Sequence, residues 1–362
     1  MSTFTFRRSG VFAALAATSL VLTGCGDAPD PQQNGGGDGA AADFTACMVS
    51  DEGGFDDKSF NELSHDGLEK ARDELGITIR EAESTSPDQF EPNLTAMVQQ
   101  GCNIIIPVGF MLADATEAAA KANPDVDFAI VDYDQIQAEN VLGLNYDTAQ
   151  AAYLAGYAAA AASKTGVVAT YGGAQIPSVT IFMDGFVNGV KKYNEAKGKD
   201  VKVLGWDVTA QSGSFVGNFS DQNQARQITE GFLSQKADVI MPVGGPLYQG
   251  GAEAIKSSNQ EAYIIGVDSD LAAREQQYKD IIMTSVTKSM DLSVVEAIKQ
   301  SKDGSFKGGT YTGTLANNGV GLASFGEFEK NLPEGTVQEI ESLRQEIIDG
   351  KIKDLSPASP KA

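Results

Sequence analysis

Apolar residues in this chain come in short unbroken runs, not in alternation with polar ones. The runs "FTACMV" (44–49), "ITIREA" (77–82), "NIIIPVG" (103–109), "FAIVD" (128–132) and "VLGLNY" (141–146) are followed by "VVATYG" (167–172), "VKVLGW" (201–206), "VIMPVGG" (239–245), "YIIGVD" (263–268) and "IIMTSV" (281–286). Between them lie amphipathic stretches such as "SFNELSHDGLEKARDEL", "SVTIFMDGFVNGVKKYNEA" and "DQNQARQITEGFL". A strand apolar on both faces belongs in a parallel sheet covered on both sides, and each parallel neighbour needs a crossover of about a dozen residues or more, usually a helix. The pattern predicts an α/β protein of doubly wound parallel sheets flanked by helices. Ten strands exceed the usual sheet of about four to six, so two lobes are expected. The stretch "DTAQAAYLAGYAAAAASK" is apolar nearly all round. It is short for a membrane span and is flanked by Asp147 and Lys164, which predicts a buried helix packed on a sheet through Ala and Gly.

The N-terminus follows a different pattern. "MSTFTFRRSGVFAALAATSLVLTGCG" has Arg7 and Arg8, then a short apolar run, then small residues around Cys25. That is the layout of a secretory signal peptide over 1–24. "LTGC" looks like a bacterial lipobox, after which Cys25 would be the lipidated N-terminus; the other reading is an ordinary signal with a chance cysteine. Residues 25–42, "CGDAPDPQQNGGGDGAAA", have almost nothing to bury and read as a flexible tether. An anchor, a tether and a globular body suit a protein held outside the bacterial cell membrane.

Charge narrows the partners. The 362 residues carry a formal −22, and removal of the segment with Arg7 and Arg8 makes it −24. So acidic a surface argues against nucleic acid and against lying flat on anionic lipid. Cys47 and Cys102 could form one disulfide outside the cell or remain two buried thiols.

Ligands of open α/β sheets bind beyond the carboxyl ends of the strands. Read in order, those ends carry Asp51, Gly109 and Phe110, Asp132 and Asp134, Gly172 and Gly173, Gly244 and Gly245, Asp268 and Asp270, and Lys288. The acids do not cluster as metal ligands would, and no cofactor or metal is expected. The single histidine, His65, sits inside a predicted helix, where a surface or packing role is the default. There is no nucleophile elbow, P-loop or GxGxxG, so acyl or phosphoryl transfer has few candidate parts. Isolated carboxylates suit neutral polyols, because one carboxylate accepts two hydroxyl hydrogen bonds from a vicinal diol such as that of ribose. A planar base would want an aromatic face on each side. Phe60 and Phe219 are candidates for those faces, with plain core packing as the alternative.

"DEGGFDDKSFNE", "NVLGLNYDTAQAAYLAGYAAA", "YGGAQIPSVTIFMDGFVNGV", "FVGNFSDQNQAR", "ADVIMPVGGPLYQGGAEA", "IIGVDSD" and "TSVTKSMD" together resemble the basic-membrane-protein (PnrA-like) family of ABC-transporter substrate-binding lipoproteins. The resemblance spans about residues 44–350. It implies a two-lobed type I periplasmic-binding-protein fold and a purine nucleoside in the cleft. By the same resemblance Asp51 and Asn61 meet the base, and Phe60 and Phe219 sandwich it. Asp268 and Lys288 hold the ribose, Gly245 gives close backbone approach and Asp132 contributes from the first lobe. Asp134, Asp270 and Phe215 are rivals for three of these places. Asp56, Asp57 and Lys58 are expected to cap and orient the helix that follows.

The expected organisation is a first lobe of 43–146 plus 289–308, a second of 147–288 plus 309–355, and a tail of 356–362. Three crossings between lobes would form the hinge. The expected function is that of a monomeric, non-enzymatic binding protein that closes on its ligand and delivers it to permease subunits. A sugar or another small metabolite as ligand, a sensor uncoupled from transport, and a nucleoside hydrolase are the alternatives.

Overall fold

The computed structural model describes residues 44–361; the signal segment, Cys25 and the whole tether lie outside the described residues. All ten apolar runs contribute strands. The first lobe holds β1 (Thr45–Val49), α1 (Phe60–Leu75), β2 (Thr78–Ala82), α2 (Phe90–Gln99), β3 (Ile104–Pro107), α3 (Ala113–Ala122), β4 (Asp127–Val131) and β5 (Val141–Tyr146). The second follows with α4 (Thr148–Ala162), β6 (Val167–Gly172), α5 (Pro177–Lys197), β7 (Lys202–Leu204), the two-stranded β8 (Trp206–Asp207) and β9 (Ser212–Gly213), α6 (Gln222–Ser234), β10 (Val239–Val243), α7 (Leu247–Ser257), β11 (Tyr263–Asp268), α8 (Leu271–Arg274) and β12 (Ile282–Lys288). The chain ends with α9 (Met290–Lys302), β13 (Gly309–Gly313), β14 (Val320–Leu322) and α10 (Thr336–Ile348).

The sheets repeat one plan. Strand order is β13-β5-β4-β3-β1-β2 in the first and β14-β12-β11-β10-β6-β7 in the second. The five core strands of each are parallel and arranged 2-1-3-4-5. That order has a switch point between its first and third strands, where an open α/β sheet leaves a crevice. Their central strands are buried on both faces, among them β3 and β10 throughout, which is why they read as unbroken apolar runs.

The expected boundary near residue 309 is corrected by the strand pairing. Gly309–Gly313 runs parallel to Leu142–Tyr146 as an edge of the first sheet, so the third crossing falls after Gly313. β14 then returns antiparallel to β12. The segment "GTYTG" offers little apolar surface, so its pairing could not be read from patterning.

Helix α4 lies on the second sheet as expected, but its closest packing is against another helix. A Cβ on Gly156 would fall 2.0 Å from the Phe186 carbonyl oxygen, and one on Gly189 1.9 Å from that of Tyr153. Bare glycines therefore let α4 and α5 touch backbone to backbone. α5 opens with Pro177 and closes at Gly198, whose φ of 63° is left-handed, the usual start and stop of a helix. Its buried Asp184 accepts from Trp206 Nε1 at 2.8 Å, Gln211 Nε2 at 2.8 Å and Ser356 Oγ at 2.6 Å. That one carboxylate fastens β8 and the C-terminal segment to the second lobe. Cys47 and Cys102, which the sequence left open, are joined in a disulfide within the outer core of the first lobe.

Candidate functional site

The loop between β1 and α1 is organised by Asp57. Its carboxylate accepts from the backbone N–H groups of Ser59 at 2.9 Å and of Asn61 and Glu62 at 3.0 Å each. These are the donors a helix leaves unpaired at its start, so Asp57 caps α1 and presents Phe60 and Asn61 at its tip. Burial pushes the Asp57 carboxyl up to about 7, against the pull of those three N–H groups. Asp51, at the end of β1, accepts from Asn61 Nδ2 at 2.8 Å and Gly53 N at 3.2 Å. Burial pushes its carboxyl up to about 6, and the bonds from Asn61 and Gly53 oppose the rise. Gly109 makes room for it: a Cβ there would lie 2.7 Å from Asp51 Oδ2.

Asp132 and Asp268 occupy equivalent places, each just past or at the end of the fourth core strand of its sheet. Both are left-handed, at φ 65° and 69°, a conformation uncommon for residues other than glycine that concentrates at functional sites. Between them sits the ammonium of Lys288, from the end of β12. It donates to Asp132 Oδ2 at 2.8 Å and Oδ1 at 3.1 Å, and lies 3.0 Å from Asp268 Oδ1. Burial works to lower the Lys288 pKa, but the two carboxylates outweigh it and the ammonium is held above its ordinary value. Burial raises the Asp132 carboxyl, with Lys288 opposing. The ammonium also stands 4.7 Å above the centre of the Phe60 ring, within cation–π range.

These groups line one cleft between the lobes. All eight residues expected at the site, Asp51, Phe60, Asn61, Asp132, Phe219, Gly245, Asp268 and Lys288, are on its walls. Phe219 lies against bare backbone: a Cβ on Gly173 would fall 2.4 Å from its ring. Gly245, at φ 40°, sits across the cleft from Asp57, whose Oδ2 would be 3.2 Å from an added Cβ. The rivals lie elsewhere. Asp134 accepts from Asn145 Nδ2 at 2.9 Å in a neighbouring chamber, Asp270 is exposed, and Phe215 stands edge-on to Trp206. His65 is bonded to Glu81 outside the cleft.

Sequence reasoning missed the wall contributed by α5, including Ser178, Val179 and Phe182. Phe182 stands four places before Phe186 in "FMDGF" context, and helical spacing alone assigns both to the core. One buried acceptor in the cleft has no hydrogen-bond donor, Asn61 Oδ1 in the first lobe; across from it Asp268 Oδ1 meets the Lys288 ammonium at 3.0 Å. A buried acceptor without a donor costs about 1–3 kcal/mol, so Asn61 Oδ1 is a place for a ligand's N–H or O–H. Among the described residues no three His, Cys, Asp or Glu side chains converge to hold a metal ion.

Comparison with known proteins gives the family. Residues 44–354 match the family model described as ABC transporter substrate-binding protein PnrA-like. The chain is 31% identical to the ABC transporter nucleoside-binding protein BmpA of Lactococcus lactis, covering 94% of this chain and 97% of that one. It is 31% identical to Basic membrane protein A of Borreliella burgdorferi, over 83% and 85%. A solved ABC transporter solute-binding protein from Aeropyrum pernix superposes with a TM-score of 0.76 at 26% identity, covering 87% of this chain and 94% of that one. The chain belongs to the PnrA-like family of ABC-transporter substrate-binding proteins.

Proposed function

We propose that the protein captures a purine nucleoside between its lobes and hands it to a membrane permease, tethered to the membrane by lipid on Cys25. The observation that carries this reading is a cleft walled by Phe60 and Phe219 that sets a donor-less acceptor, Asn61 Oδ1, on one lobe against the carboxylates Asp132 and Asp268 gathered about one ammonium. A nucleoside meets both demands: its base offers N–H donors and two stackable faces, and its ribose offers hydroxyl donors. Asp51 and Asn61 then take the base edge, and Asp132, Asp268 and Lys288 take the ribose. Four buried carboxylates against one ammonium make the cleft hostile to phosphate, so nucleotides are refused. The name of the Lactococcus relative points the same way. Ligand that binds both lobes favours the closed form, and the closed form is what docks on the permease.

The test is mass spectrometry of small molecules released from purified protein, beside thermal shifts with adenosine, guanosine, inosine, GMP and ribose. The three nucleosides should raise the melting temperature by mass action, and GMP and ribose should do little. A shift with a sugar and none with any nucleoside overturns the reading. For the anchor, Cys25→Ser should abolish membrane retention or processing; retention of a processed variant refutes lipidation.

A further inference from the structure

Along one lip of the cleft the lobes meet through groups that do not line it. Arg274, the last residue of α8, reaches from the second lobe to α1 of the first. One guanidinium nitrogen donates to Glu62 Oε1 at 3.1 Å, and the other donates to Asp66 Oδ2. Glu62 and Asp66 stand four residues apart, so one helical face offers both carboxylates to the fork. Glu62 is steadied from its own lobe, because the backbone N–H and the Nζ of Lys58 donate to its Oε2 at 3.0 and 3.1 Å. Two neutral bonds run beside this pair: Ser59 Oγ donates to the Val267 carbonyl at 3.0 Å and Ser269 Oγ to the Lys58 carbonyl at 2.7 Å. Arg274 keeps 25% of its side chain exposed and Glu62 19%, so the charges are partly shielded from water. Both partners of Arg274 are on the opposite lobe. α1 begins with Phe60 and Asn61 and α8 follows closely after Asp268, so the contact ties together the two elements that wall the cleft.

We propose that Arg274, with Glu62 and Asp66, is a latch that holds the cleft shut and sets how fast ligand leaves, without touching the ligand. The proposal rests on the reading of the cleft as one that closes over a nucleoside. In the open form the guanidinium and both carboxylates are apart and hydrated. Their attraction counts only after closure, and it therefore acts on release and not on encounter. Because the pairs stay partly exposed, salt weakens them.

The test is stopped-flow kinetics with guanosine on the full mature protein, for wild type, Arg274→Gln, Asp66→Asn and the double variant. Arg274→Gln should speed release about tenfold while association stays within about twofold. Release from wild type should quicken with added salt, and that dependence should shrink in the variant. The double variant should release about as fast as Arg274→Gln alone, since both remove one interaction. Unchanged release, or additive effects with no loss of salt dependence, overturns the latch. Small-angle scattering of the ligand-free proteins supplies a second readout: Arg274→Gln should have the larger radius of gyration at an unchanged melting temperature. If wild type takes up no guanosine the nucleoside reading fails, and scattering then decides the latch alone, with identical radii overturning it.

Discussion

Replacing Lys288 by Met keeps the reach of the side chain and removes its charge. The ammonium it deletes lies 2.8 Å from Asp132 and 3.0 Å from Asp268, carboxylates only 9% and 4% exposed. Removing one partner of a buried ion pair costs about 3–5 kcal/mol, because an uncompensated charge is left behind. In a protein with one lobe that loss would come out of folding stability. Here Asp132 belongs to the first lobe and Asp268 to the second, so parting the lobes rehydrates both. The cost should therefore fall on closure: guanosine affinity drops by about 3–5 kcal/mol, roughly two to four powers of ten, and the ligand-free melting temperature changes little. Protonation limits the damage. Burial already raises the Asp132 carboxyl, and Lys288 is the group that opposes it. Without Lys288 the Asp132 carboxyl takes a proton more readily, so the ratio of variant to wild-type Kd should narrow as pH falls. Calorimetric titration with guanosine at two pH values, beside thermal unfolding without ligand, measures all of this. A variant that melts far below wild type yet binds normally refutes the argument, as does a Kd ratio that ignores pH.

Phe60→Ala should weaken guanosine binding by about one lost stack, roughly 1–3 kcal/mol, with a small effect on ligand-free stability. Ile105→Ala, at a fully buried strand position, should cost roughly 2–5 kcal/mol of stability and leave affinity alone; if the two variants unfold equally badly, Phe60 is core. Asp51 ties pH to both properties with opposite signs. Its folded carboxyl is raised from 3.8 to about 6, so its stabilising contribution is complete below about pH 3.8 and is lost as pH rises through 6. Guanosine affinity, which needs the ionised acceptor, should instead strengthen over that window, and Asp51→Asn should flatten both profiles; equal slopes in wild type and variant would refute the assignment. Opening the disulfide through Cys47→Ala with Cys102→Ala should cost up to about 4 kcal/mol, since the bond closes a loop with a sequence separation of 55. Denaturant unfolding checks this, and an unchanged midpoint would show that the bond adds nothing.

By itself the sequence determined the class of fold, the strands and the edge on which a ligand would sit. Parallel strands buried on both faces must be apolar throughout, and this leaves a local signature that needs no partner to be recognised. The same topology gathers the carboxyl ends of the strands at one edge, so Asp51, Asp132, Gly245, Asp268 and Lys288 stood among the strand-end candidates by position, and the family resemblance picked them out from rivals such as Asp134 and Asp270. Phe60 was named as an aromatic face for a planar base, and Asn61 came only from the family resemblance. Tertiary structure decided what depends on groups far apart in the chain. The charge balance of the site exists only because Lys288 is brought to Asp132 at a separation of 156 residues. Membership of β13 in the first sheet turned on hydrogen bonds to β5 that five weakly apolar residues do not advertise. The wall offered by Phe182 depended on which side of α5 faces the cleft, and a helix buried nearly all round carries no mark of that choice. The disulfide waited on the distance between Cys47 and Cys102, which the packing of β1 beside β3 sets. Local patterning records burial, whereas pairing across the cleft is a matter of distance in space, and only the folded chain fixes distance.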